Sequence, residues 1–134
     1  MQFQIDTASR TPIYRQLAGQ IREAIARGRL LADERLPSVR ELSRQLVINP
    51  NTVARVYTEL EREGVLNTRP GLGAFVAQPR SDLTRRARRD RLTSLADELL
   101  TEAVHMGYSA DEFQSLLTER MARFAWPNLT EVNP

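Results

Sequence analysis

The stretch SVRELSRQLVINPNTVARVYTELEREG, Ser38 to Gly64, decides the fold. Ser38-Val39-Arg40-Glu41 is a capping box: the serine caps a helix and the glutamate three residues on reaches back to it. Val39, Leu42 and Leu46 then share one helical face. Asn49-Pro50 repeats the start signal, a capping side chain before a proline at the first helical position. The second helix directs Val53, Val56, Tyr57 and Leu60 inward. Gly64 stands where a left-handed residue ends a helix. Two helices, the first of them short, are therefore expected about a tight turn at Val47-Ile48-Asn49. That is the organisation of a helix-turn-helix.

Upstream, Thr11-Pro12 predicts a capped start for an earlier helix. Ile13, Leu17, Ile21 and Ile25 line one face of it, with Tyr14 and Ala24 beside them. The pattern runs to about Arg27 and stops at Gly28, and Arg29 to Pro37 reads as a loop. Downstream of Gly64, Val65-Leu66-Asn67-Thr68 and Ala74-Phe75-Val76-Ala77 read as short strands around the turn Arg69-Pro70-Gly71-Leu72-Gly73. A hairpin directly behind the second helix of the pair holds the position of a wing. Pro79 closes this part. Leu83, Ala87, Leu92, Leu95, Leu99, Ala103 and Met106 then line one face of a long helix ending at Gly107. A second capping box, Ser109-Ala110-Asp111-Glu112, opens a last helix with Phe113, Leu116, Leu117, Met121 and Phe124 apolar, ended by Trp126-Pro127. The expected fold is mainly α with a small β-hairpin. It comprises a winged helix-turn-helix over residues 1–78 and a two-helix dimerisation segment over 79–134.

Composition narrows the function. The 134 residues contain no Cys, which removes thiol chemistry, disulfides and zinc fingers together. All 19 basic residues are Arg, so Schiff-base and phosphate-loop lysines are absent too. His105 is the one histidine, and a lone histidine near a helix end is most simply a surface or capping residue. No catalytic residue, metal site or cofactor is expected. No apolar run approaches the roughly 18 residues that span a bilayer, and the first residues lack the marks of a signal peptide. A cytoplasmic protein without a membrane partner is expected. Charge is uneven: residues 1–91 hold 17 Arg against 10 acids, and residues 92–134 hold 2 Arg against 7 acids. A basic front with an acidic tail suggests a polyanion as the front part's partner.

A helix that reads DNA presents its N-terminal end to base edges in the major groove. Here that end offers Asn49, Asn51, Thr52 and Arg55. Asn51 and Arg55 are four apart and Thr52 and Arg55 three apart, so they share a face opposite Val53, Val56 and Leu60. Asn can pair bidentately with adenine and Arg with guanine, while Thr52 and backbone amides at the helix start suit phosphate. Arg40 begins the preceding helix, within reach of the same groove or the adjacent backbone. Arg69, with the Gly71 and Gly73 turn, would set a wing against the minor groove. The same positions also fit plain solvated polar residues, with Asn49 only a cap and the glycines only a tight turn. The arginines at 85–91 have three readings: a solvated face, phosphate contacts beside the wing, or pairing with the tail's acids across a dimer.

These motifs occur in order at family spacing. The runs Pro12-Ile13-Tyr14-Arg15-Gln16-Leu17, Leu36-Pro37-Ser38-Val39-Arg40-Glu41-Leu42 and Asn49-Pro50-Asn51-Thr52-Val53 lead into Tyr57, Leu60-Glu61 and Glu63-Gly64. With the hairpin Arg69–Val76, they resemble the GntR family of bacterial transcription regulators over roughly residues 11–77. The short tail resembles the YtrA-like branch. The resemblance implies a double-stranded operator as partner, contacted by Arg40, Asn51, Thr52, Arg55 and the wing around Arg69–Gly73. It also implies a homodimer made by the tail and a bacterial, nucleoid-associated repressor. Leu92, Leu95, Leu99, Phe113, Leu116, Leu117, Met121 and Phe124 are the expected dimer residues, because two helices of this size cannot cover their own apolar faces. A small-molecule effector of unknown identity stays open as a further partner.

Three positions depart from the family pattern. Val47 replaces a glycine in the turn, which predicts a less tight turn. Ala32-Asp33 replaces Pro-Gly before Glu34-Arg35, at small cost because Asp tolerates turn geometry. Leu72 replaces a polar or basic wing-tip residue, which weakens a charged minor-groove contact there. The competing reading is a winged-helix adaptor that binds protein, for which an apolar outer face on the second helix would be expected. An enzyme is a remote third.

Overall fold

The computed structural model describes residues 2–79 and 85–126. Contacts divide the chain into two compact units, Met1–Pro79 together with Ala125 and Trp126, and Arg80–Phe124. Arg80, Asp82, Leu83 and the tail from Pro127 lie outside the described residues.

In the first unit, α1 (Ile13–Ala26), α2 (Val39–Leu46) and α3 (Pro50–Arg62) precede a hairpin of β1 (Leu66–Arg69) and β2 (Gly73–Val76). The core joins Leu17, Ala18, Ile21 and Ala24 of α1 to Leu42 of α2, Val53, Val56 and Leu60 of α3, and Leu66 and Val76 of the hairpin. Burying one such side chain is worth about 1.5–3 kcal/mol, so this seam holds the three helices in one arrangement. Ile13 and Ile25 lie half-buried at its margins. Phe3 also enters the core, which the short N-terminal segment did not signal. Two glutamines on α1 hold that segment as a strand would. Gln20 and Gln4 exchange amide hydrogen bonds at 2.9 and 2.5 Å, and Gln16 and Asp6 do so at 2.8 and 2.9 Å.

Four local expectations need correction. Thr11 does not cap α1: Pro12 occupies the cap position with extended ψ (147°), and no side chain bonds there. Residues 29–37 are not a plain loop. Asp33 and Leu36 donate to the Val76 and Ala74 carbonyls, Val76 donates to that of Glu34, and Arg35 bridges Phe75. The segment thus adds a third, short rung to the wing. Each strand lies one residue from its expected place, because Arg69 pairs with Gly73 and Leu66 with Val76. The Leu72 amide closes onto the Arg69 carbonyl at 2.9 Å. Gly71 follows Pro70 with φ +75°, as a type II turn requires.

The fourth correction concerns Val47. The turn after α2 is as tight as a glycine would make it, because Val47 itself adopts the left-handed conformation (φ 54°, ψ 51°). The Ile48 amide still reaches the Ser43 carbonyl at 3.1 Å. The valine side chain is 88% exposed, so no packing contact offsets the strain of a β-branched residue there.

In the second unit, α4 (Arg85–His105) and α5 (Ala110–Met121) turn about Gly107, which has φ +83°. The Ser109–Glu112 capping box is formed as expected. Met106 falls just past α4. Phe124 lies beyond α5, whose C-cap is Ala122 rather than Trp126-Pro127. Ala103 is buried, but Leu92, Val104 and Met106 are about two-thirds exposed, and Leu95, Leu99, Leu100, Leu116 and Leu117 are roughly 40–50% exposed. An open apolar cleft of about 360 Å³ runs between Leu100, Ala103, Val104, Phe113 and Leu117. Among the described residues no helix is long and apolar enough to cross a membrane.

Val47→Gly is expected to raise stability by about 1 kcal/mol. It removes a left-handed penalty of about 1–2 kcal/mol and adds part of glycine's unfolded-state entropy. The urea midpoint followed by circular dichroism should rise; a lower midpoint would show that the turn does not strain the valine.

Candidate nucleic-acid interface

The start of α3 is built by Asn49 and Pro50. The Asn49 Oδ1 accepts from the Asn51 amide at 2.8 Å, and its carbonyl accepts from the Thr52 amide at 3.0 Å. The backbone amides expected to hold a phosphate are therefore already bonded within the helix start, which corrects that reading. The Asn49 Nδ2 hydrogens are not used by the cap. Val53, Val56 and Leu60 are fully buried, and this fixes the rotation of the helix. Asn51 and Arg55 are exposed on the opposite side, with Thr52 half-buried at its margin.

Arg55 is steered by its neighbours. Its guanidinium lies 4.1 Å over the Tyr14 ring, and its Nε is 3.7 Å from Glu59 Oε1. The side chain keeps 58% exposure. A contact of that length on an exposed pair is weak, so the stacking orients Arg55 without withdrawing it from solvent. Arg40 and Arg44 are exposed one turn apart on α2 and have no ion-pair partner among the described residues. Arg44 escaped the sequence reading, although its spacing of four from Arg40 places both on one face.

The two helices are locked together by a bond that the sequence did not announce. The half-buried Tyr57 hydroxyl donates to the Pro37 carbonyl at 2.7 Å, tying α3 to the entry of α2. Burial, and then the nearby Glu41 carboxylate, push its phenol well above the ordinary tyrosine range, so it remains a donor. Glu41 is held below the ordinary carboxylate range, first by the Ser38 amide, next by the Ser38 hydroxyl, and lastly by Arg35. The capping box is thereby kept charged.

The wing differs from its sequence reading. Arg69 ends β1 rather than standing within the turn. Its Nη2 donates to Asp33 Oδ1 at 2.8 Å, and its guanidinium lies 4.1 Å over the Phe75 ring. Gly73 has φ +113°, and a Cβ there would stand 3.3 Å from Arg35 Nε. Gly71 meets open space, so its requirement is the positive φ alone. Leu72 is exposed at the tip. The eight residues expected in the dimer surface all lie in the second unit, on or just beyond α4 and α5. Among the described residues no group of three or more His, Asp or Glu side chains could hold a metal ion.

Three helices with a capped, outward-facing third helix and a hairpin behind it define a winged helix-turn-helix protein. The model of the bacterial regulatory proteins of the gntR family matches residues 13–76. The HTH-type transcriptional repressor YtrA of Bacillus subtilis is 33% identical over 116 residues, covering 87% of this chain and 89% of that protein. The chain belongs to the gntR family of bacterial transcription regulators. A transcriptional antiterminator structure from Listeria monocytogenes is 32% identical with a TM-score of 0.73, covering 90% of each chain. AraR(DBD) in complex with operator ORX1 is 26% identical with a TM-score of 0.52, covering 57% of this chain and 99% of that one.

Tyr57→Phe leaves the Pro37 carbonyl unpaired and should destabilise the chain by about 1–2 kcal/mol. Chemical unfolding measures this directly, and an unshifted midpoint would deny the bond a stabilising part.

Proposed function

We propose that two copies of this chain bind a pseudo-palindromic DNA operator in the bacterial cytoplasm and repress transcription from it. The observation that carries this reading is the start of α3. Burial of Val53, Val56 and Leu60 turns Asn51 and Arg55 outward at the exposed end of a capped helix. Asn and Arg are the side chains that pair bidentately with adenine and guanine in a major groove. Thr52 and the Asn49 Nδ2 hydrogens stand beside them for phosphate or base contact. Arg40 lies on the neighbouring helix for the flanking backbone, with Arg44 added by its shared face. The outer face of α3 is polar, which favours nucleic acid over a protein-binding adaptor.

The AraR operator complex supports the DNA assignment through a fold shared at 26% identity. The name of the Bacillus relative supports repression. In this reading Gly71 and Gly73 shape the wing's backbone, and Arg69 is its cation. The domain division at residues 78 and 79 follows the same logic, with DNA read by the first part and copies joined by the second. Leu92, Leu95, Leu99, Phe113, Leu116, Leu117, Met121 and Phe124 supply the apolar surface for that joining. A second copy would cover the open cleft of α4 and α5, since apolar area gains about 25 cal/mol per Å² when removed from water.

Selection of bound duplexes from random DNA at fixed salt should return two inverted half-sites at constant spacing. Recovery of unrelated sequences, or of one half-site only, would overturn the dimeric operator reading. Arg40→Ala and Arg55→Ala should each weaken binding to the selected site by about 1–3 kcal/mol with the fold and dimer retained. Wild-type affinity in a gel-shift titration would remove either residue from the interface.

A further inference from the structure

We infer that Asp33 is an electrostatic latch on the wing, holding Arg69 in the free protein and releasing it to a DNA phosphate on binding. This rests on the proposed DNA-binding reading and adds a positioning residue to it. Within the hairpin, residues 66–76, Arg69 is the only charged side chain. The tip residue Leu72 is apolar and exposed. Glu34 and Arg35 of the adjoining rung carry one charge of each sign, so whether the hairpin meets DNA as a neutral or a cationic element depends on what Arg69 is bonded to.

Asp33 controls that bond. It sits at φ +69°, one of two non-glycine residues with positive φ among those described. Three bonds hold it there: its amide to the Val76 carbonyl at 2.8 Å, its Oδ1 to Arg69 Nη2 at 2.8 Å, and its Oδ2 to Gln78 Nε2 at 2.7 Å. The first fastens the residue to β2. The other two aim its carboxylate across the end of the hairpin. Phe75 forms a platform under the guanidinium at 4.1 Å, so Arg69 lies along the sheet.

The pair is suited to opening. Its side chains are 40% and 55% exposed, and an exposed ion pair is weak and screened by salt. A phosphate is a competing bidentate partner for the same guanidinium. While latched, Arg69 contributes no net charge to encounters with arbitrary DNA, which lowers affinity for sequences that α3 does not fit. Once α3 seats, a nearby phosphate can replace the Asp33 carboxylate while Phe75 stays in place.

The test measures the salt dependence of binding to a duplex of scrambled sequence by fluorescence anisotropy across a KCl series. Asp33→Gly removes the carboxylate and places glycine where positive φ is favoured, so the fold should be kept. The slope of log K against log salt should steepen by about 0.9 per engaged protomer, the value of one added phosphate contact. Asp33→Asn, which also tolerates this backbone, should steepen the slope as well and guards against a loop loosened by glycine. In Asp33→Gly/Arg69→Ala the slope should return to the wild-type value. An unchanged slope in both single variants overturns the latch. A double variant that stays steep overturns it too, because the effect would then be repulsion of phosphate by Asp33 itself. Wild-type binding with no salt dependence would overturn the DNA-binding reading, and the latch with it.

Discussion

Burial of Val53, Val56 and Leu60 against α1 and α2 is the constraint on which the rest of this structure depends. It sets the rotation of α3 about its own axis. A helix residue advances by about 100°, so three buried positions on one stripe leave Asn51 and Arg55 no orientation except outward. The capping by Asn49 then fixes where the helix begins, and the Tyr57–Pro37 bond fixes how it meets α2. Chemistry at the surface is thus determined by packing beneath it. Arg55 illustrates the point, since Tyr14 belongs to α1 yet directs a guanidinium carried by α3.

The wing follows a different logic, because it has little core of its own. Leu66 and Val76 anchor the base of the hairpin. The remainder is held by the β1–β2 pairing, by backbone bonds to residues 33–36, by the Glu61 carboxylate on the Thr68 amide and by the polar contacts of Asp33. Of these, the exposed Arg69–Asp33 ion pair is individually weak. A hydrophobic seam suits the helix that must keep its aim.

What was legible in the sequence was local. Both capping boxes, the Asn49-Pro50 start and the glycine terminators at 28, 64 and 107 each depend on residues within a turn of one another. The buried stripes of the three helices were legible for the same reason. The missed features couple distant positions. The pairing of residues 33–36 with β2 joins segments about forty residues apart, and the first of them has no alternation of a strand. Phe3 carries no period because its segment is too short to show one. Asp33 and Val47 were noticed as departures from glycine, but their actual backbone angles are decided by the turns that enclose them. At Val47 the geometry of the turn overrode residue preference, so a substitution that suggested a looser turn left it tight.

The second unit shows how far local patterning reaches. The periodicity of α4 and α5 announced two helices, and the structure contains both. Their apolar residues are nonetheless left half-exposed, and among the described residues α4 buries only Ala103. An amphipathic helix pair is a single layer, and a stable domain buries its apolar faces between at least two packed layers. The first unit meets that condition within one chain, with three helices and a hairpin around a shared core. Among the described residues of the second unit α4 and α5 do not. On the proposed reading the second layer is the same helix pair from another copy, which would make the spacing between two DNA-reading helices a consequence of how the tail completes its core.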